Sequence, residues 1–290
     1  MATLRVDTVS GIGTEGTVLQ GGLRFRSENY MTLPKGDTTQ RGRGRGLWGG
    51  GTISPASDII QYAELSTTGN TIDFGNLSTA NQGAAAVSSS TRCCYGGGNN
   101  HPSYFNKIEF VTIGTTSNVT DFGDLDAIKS GGQGCGNETR GIFGPGFSPT
   151  PTNRNVNTIE FITIASTGDA QDFGDFTEDI RGICALSSPT RGLFAGGYAP
   201  SSPNMSNTIQ FITIATTGNA QDFGDTTNAA EGYLACASNI RGIIAGGYVA
   251  PANRNVIQYV TIATTGNAVD FGDIGSNRVT AQSGAGTSNN

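Results

Sequence analysis

The sequence predicts an all-β protein, a five-bladed β-propeller with four-stranded antiparallel blades and an extended N-terminal arm. The tripeptide Asp-Phe-Gly occurs five times, at spacings of 48, 51, 50 and 48 residues, and an aromatic residue stands eleven positions before each copy. Repeats of this size are typical of propellers, solenoids and arrays. The composition agrees, because 44 of the 290 residues are glycine and only 14% are charged, which favours turns and strands over helices. The tripeptides begin at Asp73, Asp121, Asp172, Asp222 and Asp270.

Each repeat contains four short strand-forming segments. In the repeat of residues 191–240 these are 191–197, 209–214, 220–224 and 232–237, which are rich in β-branched and aromatic residues and bounded by Gly, Asn, Pro and Ser. None has the apolar spacing of a helix. In the second segment Ile209 and Phe211 face one way, and Ile212 faces the other way with Gln210. Both faces are largely apolar, as expected for a sheet packed between two neighbouring sheets.

The repeats also predict how the ring closes. The propeller domain is expected at residues 45–290, in repeats of about 45–91, 92–139, 140–190, 191–240 and 241–290, after an arm of residues 1–44. The stretch before Arg45 is too polar for a buried innermost strand, whereas residues 278–285 follow the last Asp-Phe-Gly at the right distance. Because open sheet edges invite aggregation, we expect this C-terminal strand to close the first blade.

The order of residues within each repeat resembles the kelch family. An Arg precedes an apolar strand that ends in Gly-Gly-Tyr, as in Arg191 and residues 196–198, with Arg181 upstream. Phe173 and its equivalents stand where kelch repeats carry a Trp in the last strand. The resemblance covers residues 45–290 and implies the propeller fold. It implies no particular activity, because one fold hosts many functions.

The N-terminal arm resembles the attachment arms of virion structural proteins from tailed phages, notably those of marine cyanobacteria. It consists of short apolar segments joined by glycine-rich links, with too little apolar surface to fold alone. The resemblance implies binding to other virion proteins, several copies in a virion or a homo-oligomer, and assembly in the host cytoplasm. The apolar residues expected to make this attachment are Leu4, Val6, Val9, Leu19, Leu23 and Phe25.

A second predicted surface is formed by the loops that follow the Gly-Gly-Tyr strands. These loops vary in length and content, whereas the Thr-Thr-Gly-Asn turns expected on the opposite face are nearly identical. Variable loops on a rigid scaffold are where binding usually occurs, and aromatic and arginine side chains suit contacts with sugars and proteins. The candidates for contact with a host glycan or protein are His101, Tyr104, Phe105, Phe147, Arg154, Tyr198, Met205, Tyr248 and Arg254.

The sequence predicts no catalytic residues, metal site or cofactor. Five copies of Asp-Phe-Gly at a fixed period indicate a structural role, because the other kinase motifs are missing. The single histidine, His101, argues against a Ser-His-Asp triad, and the acidic residues around Asp172 lack the spacing of a calcium loop. The net charge of −6 gives no reason to expect nucleic acid as a partner, and no apolar run is long enough to span a membrane.

Two other residue types receive structural interpretations. The Arg that recurs once per repeat is expected to form an ion pair, for which Asp175 or Asp225 is a natural partner, or a backbone contact. The cysteines in the 232–237 strand and its equivalents, Cys135, Cys184 and Cys236, are expected to be small core residues.

The sequence therefore predicts a non-enzymatic structural protein of a tailed-phage virion, of the tail-fibre or head-decoration type. The arm would anchor it, and the propeller would either contact the host surface or decorate the particle. The alternative is a secreted or surface propeller that is lectin-like or processes glycans. A signal sequence, Asp boxes or paired carboxylates facing the axis would favour that alternative, and the sequence shows neither of the first two.

Overall fold

The computed structural model describes residues 44–51, 56–65, 67–150, 154–200, 204–275 and the backbone of 286–287. Five antiparallel sheets form a five-bladed β-propeller, as the sequence predicts. Blade 1 contains Arg45–Gly49, Ile59–Glu64, Ile72–Asn76 and Gly286–Thr287, and blade 2 contains Ala85–Ser88, Arg92–Gly96, Lys107–Thr112 and Thr120–Asp124. Blade 3 contains Gly134–Gly136, Arg140–Phe143, Arg154–Thr163 and Gln171–Ile180, and blade 4 contains Cys184–Ser187, Arg191–Ala195, Thr208–Thr213 and Gln221–Asp225. Blade 5 contains Glu231–Ala237, Arg241–Val249, Val256–Thr261 and Val269–Asp273.

The four strands of a blade are called inner, second, third and outer here, counted from the axis of the ring. In blade 4, Cys184–Ser187 is the inner strand, and it pairs with Arg191–Ala195, which pairs with Thr208–Thr213, which pairs with Gln221–Asp225. The inner strands of blades 1 to 5 contact one another in this order around the axis. Each segment of the repeat thus occupies the same layer in every blade.

The C-terminal end of the chain completes blade 1. Gly286–Thr287 pairs antiparallel with the second strand of this blade, where Leu47 lies opposite Thr287 and Trp48 opposite Gly286. This pairing confirms that the C-terminal strand closes the first blade. The predicted closing segment, residues 278–285, lies outside the described residues, as does the predicted arm up to residue 43.

The hydrophobic core lies between successive blades. Phe211 of the third strand meets Phe223 of the outer strand edge to face, with ring centroids 5.9 Å apart, and the same pair recurs in every blade. Both rings pack against the aliphatic side chains of blade 5, among them Val260 and Ile262. The Phe of Asp-Phe-Gly therefore packs between blades, as predicted, at the four interfaces that join blades 1 to 5 in order.

Each of these four interfaces, called seams 1/2, 2/3, 3/4 and 4/5, carries the recurring Arg. In seam 4/5 the Arg191 guanidinium lies over the Phe211 ring at 4.4 Å and donates to the Ile262 carbonyl of blade 5 at 3.0 Å. The corresponding bonds from Arg45, Arg92 and Arg140 are 2.8–2.9 Å long. The backbone contact that the sequence predicts is confirmed.

The prediction that Asp175 or Asp225 forms an ion pair with these arginines is wrong. In seam 4/5 the Asp225 N–H donates to Asn267 Oδ1 at 3.0 Å, and Asp175 makes the equivalent bond in seam 3/4. Both carboxylates lie on outer strands, whereas the guanidinium reaches the end of the next blade's third strand, where a carbonyl satisfies it.

A buried acid or amide from the third strand of blades 2 to 5 completes each of the four seams. Gln258 of blade 5 is fully buried, and its Oε1 accepts the Thr227 N–H of blade 4 at 2.7 Å. Seam 2/3 has Glu160 in this place, paired with Lys129 at 2.7 Å, both side chains less than 5% exposed. A buried carboxylate requires such a partner. The side chains that span the seams thus bind mainly backbone groups of the neighbouring blade.

Candidate functional site: the variable loop face

The variable loops join the second and third strands of each blade, and all of them emerge on one face of the ring. Because successive loops of an antiparallel meander alternate between faces, the Thr-Thr-Gly-Asn turns lie on the opposite face, as predicted. Most of the loops contain a small hairpin of their own, such as Asn99–Asn100 with Ser103–Tyr104 and Tyr198–Ala199 with Asn204–Met205. This face, called the loop face, carries all nine predicted contact residues.

The loop face presents these residues as a dispersed set around four blades. His101 and Arg154 are exposed, and the other seven are half-buried. Arg154 forms an ion pair with Asp179 of the outer strand of its blade. Phe105 lies beneath the Lys107 ammonium at 5.1 Å. The face is thus a rigid surface with partly accessible aromatic rings rather than a set of free side chains.

One pair of the predicted residues lies together across two blades. The rings of Tyr104 in blade 2 and Phe147 in blade 3 have centroids 6.0 Å apart with an interplanar angle of 44°. Both rings are half-buried, so each leaves part of its surface accessible. Flat apolar surface beside a phenol hydroxyl is suited to stacking on a sugar ring or a partner's side chain.

The loops of blades 3 and 4 are fastened to each other. The buried Asn155 donates from Nδ2 to the Tyr198 carbonyl at 2.8 Å, and the Arg181 guanidinium lies over the Tyr198 ring at 4.5 Å. Tyr198 also pairs with Met205 across its hairpin. These contacts hold the ring in place, so Tyr198 has a structural role besides its predicted contact role.

The two predicted residues of blade 5 stand apart from this group. Tyr248 pairs with Asn253 across a tight turn. Arg254 donates its backbone N–H to Gly247 at 2.8 Å, and its Nε is buried without a hydrogen-bond partner among the described residues. The guanidinium of Arg254 is therefore partly withdrawn from the loop face.

Sequence reasoning missed an axial cavity of about 400 Å³ near the opposite face. It is surrounded by the hairpins between the inner and second strands of blades 2 to 5, which are rich in serine and asparagine, and by Trp48 and Leu65 of blade 1. The hairpins are joined around the mouth, since Ser90 N–H donates to Glu138 at 2.9 Å and Asn137 Nδ2 donates to the Pro189 carbonyl at 2.8 Å. The recurrence of Ser-Ser, Asn-Glu and Ser-Asn after each inner strand was the signal that could have indicated it.

The described lining of this cavity contains one carboxylate, Glu138. A pair of carboxylates facing the axis, which a glycan-processing propeller would need, is not found among those lining residues. Across the described part of the chain, no three His, Cys, Asp or Glu side chains lie close enough to hold a metal ion. The same residues contain no helix that is long and apolar enough to cross a membrane.

The buried cysteines are not poised as nucleophiles. Burial raises the pKa of Cys93, Cys135 and Cys184 to about 12 and raises that of Cys94 further, and the thiol, unlike the thiolate, is a poor nucleophile. Cys135 and Cys184 are core residues, as predicted. The same prediction for Cys236 is wrong: this thiol is exposed, because no described residue of a neighbouring blade covers the blade 5 face on which it lies.

Comparison with known proteins adds no further assignment. No protein-family model matches the chain, and no curated protein matches it.

Proposed function

We propose that this protein is a non-enzymatic structural component of a tailed-phage virion that displays a kelch-like propeller. The arm of residues 1–44 attaches it to other virion proteins, and the loop face contacts a host-surface glycan or protein. The observation that carries the proposal is the contrast between the two faces of the ring. One face repeats the same turn, whereas the other bears hairpins of different sequence with half-buried aromatic rings.

The pair of Tyr104 and Phe147 is the strongest contact candidate on the loop face. The two rings belong to adjacent blades whose relative position is fixed by seam 2/3, so little conformational entropy is lost when a ligand stacks on them. Interfaces concentrate their binding energy in such aromatic residues. Removing one ring should therefore weaken binding without disturbing the blade.

The test is adsorption of the purified full-length protein to host cells and to a glycan array. We expect saturable binding, and we expect Tyr104→Ala with Phe147→Ala to weaken it at least tenfold, since two hot-spot side chains contribute about 2 kcal/mol or more. Thr217→Ala is the matched control, because Thr217 is exposed on the opposite face. Equal binding by the loop variant and the control would remove this pair from the site.

A different outcome separates host contact from particle decoration. If the full chain binds neither cells nor glycans but still joins purified particles, the loop face serves only contacts between virion proteins. If it does not join particles and binds glycans, the lectin-like alternative is supported instead.

A further inference from the structure

The faces that blades 5 and 1 turn toward each other are uncovered in the described structure. Trp48 and Leu65 of blade 1 are 44% and 53% exposed, and Phe271 of blade 5 is 54% exposed. Every residue at the equivalent positions of the other blades is at most 3% exposed. Those equivalents are Tyr95, Phe143, Phe194 and Ile244 for Trp48, Ile113, Ile164, Ile214 and Ile262 for Leu65, and Phe74, Phe122, Phe173 and Phe223 for Phe271.

The polar groups of these two faces make no contact with each other across the gap among the described residues. Arg241 lies over the Tyr259 ring at 4.4 Å as its equivalents do, but among the described residues it donates to no carbonyl across the gap. Gln61, equivalent to the buried Gln258, is exposed, and within the described part of the chain it accepts only from the Thr71 hydroxyl at 3.2 Å. We call this apolar surface, with its unpaired donors and acceptors, the open seam.

The chemistry of the four filled seams shows what the open seam can bind. Their recurring polar side chains bind backbone groups: Arg191 binds a carbonyl, and Gln258 and Asn267 each bind an N–H. A backbone-directed site accepts any extended chain that places apolar side chains on one side and its own N–H and C=O groups within reach. The open seam therefore fits an extended segment with alternating apolar residues.

The segment of this chain that precedes Gly44 meets these requirements. The Gly44 carbonyl accepts the N–H of Leu65 at 2.6 Å, so the arm joins the propeller directly beside an exposed residue of the open seam. Leu23 and Phe25 alternate with Arg24 and Arg26, and in an extended segment alternate residues share one face. Such a segment is apolar on one side, and residues 27–43 tether it to the propeller beside the open seam, which raises its effective concentration there.

The stretch between the last described strand of blade 5 and Gly286 is less suitable. Residues 276–285 contain a single aliphatic side chain larger than alanine, Val279. One valine is too small to cover an indole, a leucine and a phenylalanine.

We propose that the segment of the arm with Leu19, Leu23 and Phe25 packs into the open seam of its own chain. It covers Trp48, Leu65 and Phe271, and its backbone satisfies Arg241 and Gln61. Under this proposal the distal residues Leu4, Val6 and Val9 remain for attachment to another protein. The proposal concerns the folded chain itself and does not depend on the proposed function.

The test uses Trp48, which is the single tryptophan of the chain. In the full-length protein we expect blue-shifted emission and slow quenching by acrylamide. Leu23→Asp with Phe25→Asp should shift the emission to the red and raise the quenching constant severalfold, because a charged residue is not accommodated on an apolar face. Arg24→Asp with Arg26→Asp is the matched control on the opposite side of the same segment and should leave both readings unchanged.

Two results would overturn the proposal. If Trp48 is equally protected from acrylamide in the unaltered protein and in both double variants, blades 5 and 1 cover each other directly. If Trp48 is readily quenched in the unaltered chain, its own arm does not cover the seam and a separate partner is required. Should the Leu23 and Phe25 variant fail to fold, hydrogen exchange on the unaltered protein decides: slow exchange across residues 19–26 supports the proposal, and rapid exchange contradicts it.

Discussion

The substitution Gly224→Ala tests whether contact between blades stabilises the ring. Gly224 is the last residue of Asp-Phe-Gly in blade 4 and has a φ of 143°. A Cβ at this position would lie 2.6 Å from the backbone carbonyl of Gly266 in blade 5. The matched control is Gly272→Ala in blade 5, whose φ is 145°, because a Cβ there meets no described atom within 4 Å.

The pair separates steric contact from backbone strain. A side chain at such a φ lowers the free energy of unfolding by about 1–3 kcal/mol through backbone strain. Replacing glycine with alanine also raises it by about 0.4–1 kcal/mol, because the unfolded chain becomes less flexible. Both effects are common to the two variants. Only Gly224→Ala also pushes blade 5 away, which costs about 1–3 kcal/mol for overpacking. That movement stretches the Gly266 N–H bond to the Phe223 carbonyl, now 2.7 Å long, and weakens a contribution of about 0.5–1.5 kcal/mol.

We therefore expect Gly224→Ala to lose about 2 kcal/mol more stability than Gly272→Ala. For a chain of this size the difference corresponds to a melting temperature lower by about 4–8 °C. Urea unfolding followed by far-UV circular dichroism and by Trp48 fluorescence measures it, and coincident curves justify a single free energy. Equal losses in the two variants would refute the reasoning, since they would assign the whole effect to strain within one blade.

Three further predictions concern single side chains. Arg191→Ala should cost about 1.5–3 kcal/mol in urea unfolding, because Arg191 stacks on the Phe211 ring at 4.4 Å and donates to the Ile262 carbonyl of the next blade. Arg154→Ala is the control, because Arg154 is exposed and its ion pair with Asp179 is a surface pair; equal costs in the two variants would contradict the prediction. Lys129→Met should cost about 3–5 kcal/mol because it leaves Glu160 buried without its cation. Adding Glu160→Gln should restore most of this loss, because blade 4 has a buried glutamine, Gln210, at the position of Glu160; a double variant as unstable as Lys129→Met would contradict this. A thiol reagent should modify one cysteine of the native protein, Cys236, and all five after unfolding. Cys236→Ser is the control and should show no fast modification in the native state. Fast modification of a second thiol would contradict the burial of the other four.

The sequence predicted the fold because the repeat encodes packing position by position. The aromatic residue eleven positions before each Asp is in ring contact with the Phe that follows that Asp, in all five blades. The spacing is the consequence of a hairpin in which Phe211 and Phe223 stand on adjacent strands. The return of the C-terminal strand to blade 1 was predictable for the same reason, since a repeat that begins with the second strand leaves the inner one to be supplied by the other end of the chain.

For the candidate site, the sequence predicted on which face of the ring the residues lie, but not how they contact one another. The alternation of loops in a meander placed all nine residues on one side of the ring, but the loops themselves do not repeat. The contact of Tyr104 with Phe147 depends on how the hairpins of blades 2 and 3 meet across seam 2/3. The partial withdrawal of Arg254 is similarly a property of the folded loop. Neither follows from strand periodicity, which determines the face of the ring and the layer of the blade in which a residue lies. It does not determine the contacts between loops of adjacent blades.

The open seam escaped sequence analysis because the repeat makes all five interfaces look alike. Arg241, Gln61 and Phe271 are the residue types that the filled seams use, and by pattern alone they would be buried. Their exposure depends on what the two ends of the chain place between blades 5 and 1, which the periodicity does not contain. The departures from the repeat carry that information: blade 1 has the bulky indole of Trp48 at its open face, and blade 5 has Cys236 where blade 4 has a buried leucine. In a repeat protein the shared residues therefore determine the scaffold, and the residues that break the pattern are the first to examine for binding.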